Sequence, residues 1–81
     1  MIFYKTKIKD LFVLEFEPME DNRGSFAKIF SEKEFNKNGI NFKIREINRS
    51  FSVKKGTVRG MHFQRKPKEE SKIMSCLRGK I

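Results

Sequence analysis

The chain reads as a mainly β protein, an antiparallel sandwich or barrel with one short helix. Three observations predict this. Runs rich in β-branched and aromatic residues are short. Turn-forming residues separate them. Only one stretch, between Ser31 and Gly39, carries start and stop signals for a helix.

Taken in order, Leu11 to Phe16 reads as a strand, closed by Pro18 and the polar cluster Glu20-Asp21-Asn22. Ser25 to Phe30 reads as a second. Ser31 is placed to cap a helix over roughly 32–38, with Glu34 completing a capping box and Gly39 ending it. Phe42 to Val53 is a longer extended segment. Phe42, Ile44, Glu46, Asn48, Ser50 and Ser52 share one face, and Lys43, Arg45, Ile47, Arg49, Phe51 and Val53 the other. Lys54-Lys55-Gly56 turns the chain into a strand over Thr57 to Phe63. Ser71 to Leu77 is a further strand, followed by a turn at Arg78-Gly79. Five or so strands and one helix fit a single, partial domain over residues 1–81.

Composition narrows the function. Nine phenylalanines spread from Phe3 to Phe63 set the chain apart from disordered sequences. The formal net charge is +9, and it is uneven. Residues 1–53 carry ten Lys/Arg against eight Asp/Glu, whereas residues 54–81 carry nine against two. Such an excess concentrates anions, phosphate esters among them. Cys76 is the only cysteine, which excludes an intrachain disulfide. Its apolar neighbours Ile73, Met74 and Leu77 predict a buried site. With no signal-peptide layout and no apolar run near 18 residues, the expected compartment is the cytoplasm, without membrane insertion. One His and one Cys give no closely spaced metal-ligand set.

The stretch Arg59-Gly60-Met61-His62-Phe63-Gln64 holds the only histidine. A lone histidine is often structural, and its context decides. On a strand, Gly60, His62 and Gln64 face one way, so the glycine leaves room beside the imidazole. Imidazole can accept a proton near neutral pH. Arg59 offers a planar fork suited to phosphate. Lys72 is a fixed cation able to stabilise a developing enolate oxygen. Base, enolate stabiliser and phosphate clamp together suit proton abstraction beside a carbonyl on a nucleotide-linked substrate. The cluster Asp21-Asn22-Arg23-Gly24-Ser25-Phe26, by itself, reads as a turn between strands.

These residues, in this order, resemble the dTDP-4-dehydrorhamnose 3,5-epimerase family. The resemblance rests on Asp21-x-Arg23-Gly24-x-Phe26, Asn48-x-Ser50, Gly56-Thr57-Val58-Arg59-Gly60-Met61-His62-Phe63-Gln64, Lys72 and Arg78-Gly79. It runs from about Leu11 to Ile81 and covers about the first half of a family member. It implies a cupin-like antiparallel β jelly roll, here about its first half. It implies a homodimer once the fold is completed, and catalysis with no metal or other cofactor. The implied reaction is epimerisation at C3 and C5 of a 4-keto-6-deoxy sugar on dTDP, toward dTDP-L-rhamnose. By the resemblance His62 is the base, Lys72 stabilises the enolate, and Arg59 and Arg23 hold the diphosphate or sugar, Arg23 reaching the partner subunit's site. Asn48 lies on the substrate-facing side of its strand.

Two positions depart from the family pattern. Lys28 stands where the family often has Glu, and Glu46 where it often has Gln. Both lie near the nucleotide or sugar in the family. The family's other half supplies a proton-returning tyrosine and an aspartate that orients the histidine, so the 81 residues alone are expected to have little or no activity. Tyr4 matches no motif. The basic tail also suits a small nucleic-acid-binding or interaction protein. Nucleic acid is the disfavoured partner, because the phenylalanines follow apolar strand patterns rather than a basic face.

Overall fold

A computed structural model describes all 81 residues. The chain divides into two units, Met1–Arg45 and Glu46–Ile81. The architecture is mainly β, with two small antiparallel sheets and one short helix, all in the first unit.

The first sheet pairs β1 (Ile2–Lys5) with β2 (Phe12–Glu15), Phe3 opposite Leu14 and Tyr4 opposite Val13. Alternation sorts the side chains. Phe3, Phe12 and Leu14 are half-buried, whereas Tyr4, Val13 and Glu15 face solvent. The connection is held by Thr6, whose hydroxyl donates to the Ile8 and Leu11 carbonyls and accepts from the Ile8 N–H. Asp10 adopts φ 62° in this turn, a conformation that Asp tolerates better than most residues.

The second sheet pairs β3 (Met19–Asp21) with β4 (Gly24–Phe26). Asn22 and Arg23 form its two-residue connection. The Arg23 N–H donates to Asp21 Oδ1 at 2.9 Å, and Gly24 takes φ 130°, a region open to glycine. The Asp-Asn-Arg-Gly stretch is thus the turn its composition predicts.

Helix α1 spans Glu32–Lys37. Ser31 caps it in extended conformation, its Oγ accepting from the Glu34 N–H at 3.3 Å. At the other end Ile40 N–H donates to Phe35 O at 2.9 Å and Gly39 N–H to Asn36 O at 3.0 Å. Gly39 has φ 73°. Those two bonds and the left-handed glycine make a Schellman cap.

The core gathers on Phe35, only 2% exposed. Its ring lies 5.1 Å from Phe3, 4.9 Å from Phe30 and 5.8 Å from Phe42, tilted or edge-on. Such aromatic pairs contribute about 0.5–1.5 kcal/mol each beyond burial.

The second unit departs from expectation. The extended segments expected over Phe42–Val53, Thr57–Phe63 and Ser71–Leu77 form no strands, and every residue from Lys43 to Ile81 is exposed. Four strands form in all, two of them at Ile2–Lys5 and Met19–Asp21, where none was expected. The reason is physical: a β pattern becomes a strand only against a partner's backbone and over a buried face. The turns survive because they need neither. Thr57 N–H and Oγ1 both donate to Lys54 O, with Gly56 at φ 80°. Cys76 is exposed rather than buried, its Sγ 3.4 Å from the Arg78 and Gly79 carbonyls. With no sheet formed, there is no interior for it to enter.

Candidate functional site

The first unit positions two of the expected site residues. Arg23 sits in the β3–β4 turn and folds back on Asp21. Its Nη2 donates to Oδ2 at 2.6 Å and its Nε to Oδ1 at 3.2 Å. This guanidinium holds the Asp21 carboxyl below its ordinary pKa, and the carboxylate in turn raises that of Arg23. The pair is exposed, so its energetic weight is small. Its effect is geometric: one edge of the guanidinium is occupied and its direction is set.

Lys28, between β4 and α1, lies 3.2 Å from Glu34 Oε2. The expected capping box is therefore half formed. Ser31 caps the Glu34 N–H, while the Glu34 carboxylate is engaged by Lys28 and lies 3.8 Å from the Met1 amine. Lys28 is the main cause of the lowered Glu34 pKa. A cavity of about 180 Å³ is lined by Met1, Glu17, Met19, Phe26, Lys28 and Glu34. It holds Lys28 but no other expected site residue.

The second unit holds Glu46, Asn48, Arg59, His62 and Lys72, all exposed. Arg59 Nη1 donates to the Phe51 carbonyl at 3.0 Å. Lys72 Nζ pairs with Glu70 Oε1 at 3.0 Å. The imidazole of His62 lies against Gly60, which has φ 84°. A Cβ built on that glycine would come within 3.3 Å of His62 Nδ1 and of its backbone nitrogen. Sequence reasoning expects Gly60 to leave room beside the imidazole. In the structure the imidazole itself occupies that room. Within the unit, the glycine and histidine are brought together, and Arg59 is anchored across the Lys54–Gly56 turn. Lys72 is held by its own neighbour rather than by His62.

Three carboxylates partner site residues without being singled out by the sequence motifs: Asp21, Glu34 and Glu70. Two of them had a readable signal. Asp21 and Glu70 each precede their cation by two positions, and for Asp21 this is the spacing of an Asx-type turn, in which the carboxylate accepts from the N–H two residues on. The Glu34–Lys28 pair crosses from a loop to a helix, and nothing in local spacing indicates it.

No group of three or more His, Cys, Asp or Glu side chains that could hold a metal ion is assembled. No helix is long and apolar enough to cross a membrane.

Comparison with known proteins gives the family of the chain. Residues 5–81 match the family model described as dTDP-4-dehydrorhamnose 3,5-epimerase. A protein of that name from Sinorhizobium fredii is 36% identical over 81 residues, which is 100% of this chain and 42% of the relative. One from Methanothermobacter thermautotrophicus is 38% identical over 79 residues, 98% of this chain and 42% of the relative. One from Salmonella typhimurium is 34% identical over 82 residues, 100% of this chain and 44% of the relative. The chain thus spans under half the length of these relatives. No solved structure gives a match. With the family model covering almost the whole chain, the chain belongs to the dTDP-4-dehydrorhamnose 3,5-epimerase family.

Proposed function

We propose that these 81 residues carry the proton-abstracting part of a nucleotide-sugar epimerase site, in a domain whose completed form is a single cupin-like jelly roll and a homodimer. The substrate class is a dTDP-linked 4-keto-6-deoxy sugar, and the setting is the cytoplasm. The observation that carries the reading is the family match over residues 5–81, which contains both His62 and Lys72.

The chemistry follows from acidity. A proton beside a ketone is far too weakly acidic for imidazole in water. His62 takes the proton as the C–H bond breaks; that electron pair forms the C=C bond to the ketone carbon, and the carbonyl π pair moves onto the ketone oxygen. Lys72 stabilises that oxygen as a fixed cation. Reprotonation from the opposite face inverts the centre. Arg59 and Arg23 hold the diphosphate or sugar. Asn48, Glu46 and Lys28 lie beside the nucleotide or sugar, and the last two tune which is accepted. For this site to form, Lys72 exchanges Glu70 for the enolate oxygen, and the segment around His62 becomes a strand.

By itself the chain has little or no activity. His62 sits on exposed, unpaired chain, and no carboxylate hydrogen-bonds its ring to set the tautomer that receives the proton. The test joins residues 1–81 to the part of the Sinorhizobium fredii relative that the match leaves uncovered. The fused protein is expected to convert dTDP-4-keto-6-deoxyglucose to its epimer, read by NMR, and the 81 residues alone are not. A folded fusion that yields no epimer refutes the reading.

A further inference from the structure

We propose that Asp21 is a positioning residue: it grips one edge of the Arg23 guanidinium and leaves the opposite edge as the face that receives a phosphate group of the substrate. The inference rests on the functional reading above for the role of Arg23, and it adds the residue through which that role is set. The carboxylate is itself fixed before it holds anything. Asp21 Oδ1 accepts from the Arg23 backbone N–H at 2.9 Å, the local bond by which Asp shapes turns. Strands β3 and β4 pair on either side, Asp21 opposite Gly24, Glu20 opposite Ser25 and Met19 opposite Phe26, so the turn stands on a closed ladder.

From that position the carboxylate takes the side-on edge of the guanidinium. Nε donates to Oδ1 at 3.2 Å and to Oδ2 at 3.3 Å, and Nη2 donates to Oδ2 at 2.6 Å. These contacts use the Nε hydrogen and one Nη2 hydrogen. The end-on edge, one hydrogen from each Nη, is a second fork that matches two oxygens of one phosphate. The Arg23 side chain is 85% exposed, so that edge is open to a ligand. A free arginine samples many rotamers, and a ligand must freeze them on binding. Here the turn does part of that ordering in advance. Charge alone argues the other way, because a carboxylate beside the guanidinium repels an anion. The two effects are therefore separable: removing the carboxylate tightens anion binding if charge dominates and weakens it if positioning does.

Asp21→Asn separates the grip from the turn. Its amide oxygen still accepts from the Arg23 N–H, while the carboxylate that holds the guanidinium is gone. In the 81-residue chain, the backbone amide resonances of Met19–Phe26 should stay in place while the Arg23 Nε–H resonance moves. In the fused protein described above, Asp21→Asn should weaken dTDP binding and raise KM about tenfold, the low end of what losing an orienting partner costs a bound group. Its kcat should stay within about twofold, as for lost ground-state binding. In an Arg23→Gln background the same substitution should have no further effect, because it acts through the guanidinium. An unmoved Nε–H resonance overturns the proposal, as does an equal loss of affinity in the Arg23→Gln background. An active fused protein whose KM is unchanged or lowered by Asp21→Asn sinks this inference and leaves the functional reading standing. A fused protein that binds dTDP with the coupled dependence but makes no epimer does the reverse.

Discussion

Individual residues show where a local rule suffices. Tyr4 donates to Glu15 Oε2 at 2.8 Å, and this bond, with the negative charge behind it, raises the phenol above its ordinary value. Its folded pKa being raised, the contribution is fully present below the unfolded value of about 10 and fades as the pH rises through the folded one. As the only tyrosine, Tyr4 reports directly in ultraviolet absorbance. Alkaline titration should show a midpoint above that of a free phenol, and Glu15→Gln should bring it down. Gly60 is the second case. Any side chain there meets the His62 imidazole and adopts an unfavourable positive φ. Left-handed backbone costs other residues about 1–2 kcal/mol, so Gly60→Ala should move the His62 ring resonances in the NMR spectrum of the 81-residue chain. Unmoved resonances would contradict the contact. Sequence proximity brings Gly60 beside His62, but not by the strand alternation that predicts it: the glycine takes φ 84° and the imidazole fills the space. The Glu34–Lys28 contact was not legible in the sequence, because it depends on where a helix docks against a loop.

Among the elements, the helix follows its sequence signals most closely. Ser31, Glu34 and Gly39 bracket it in sequence, and the caps form through bonds within a few residues. Ser31→Ala should destabilise the first unit by about 1 kcal/mol, seen as a lower urea midpoint. No shift would mean that packing around Phe35, rather than the cap, sets the helix start. The β2 strand also appears where Leu11–Phe16 predicts it. The β1 strand was not foreseen, because its identity comes from pairing with β2 across the Thr6–Leu11 turn. The segments of the second unit fail for the converse reason. Their alternation is genuine, yet Val58 and Phe63 have no apolar layer to enter. Alternation specifies which face would be buried, while burial itself needs a partner.

The whole molecule joins a packed unit to an exposed one. Phe35 and the three phenylalanine rings around it make a small core. Replacing a buried Phe by Ala costs about 3–5 kcal/mol, comparable to the whole stability of so small a unit. Phe35→Ala should therefore abolish dispersed amide signals from Ile2 to Lys37 while leaving those of Glu46–Ile81 unaltered. Preserved dispersion would contradict the placement of the core. The chemistry-bearing residues lie mostly in the exposed unit, so their identities were readable while their assembly was not. A base is recognisable from its neighbours in sequence; an active site requires the sheet that holds it. The most direct measurement is solvent deuterium exchange at C3 and C5 of dTDP-4-keto-6-deoxyglucose, catalysed by residues 1–81 joined to the remainder of a relative. The account predicts rapid exchange that falls at least about a hundredfold in His62→Ala, the size expected for losing a general base, while the variant still binds dTDP. Exchange that survives His62→Ala undiminished would contradict it.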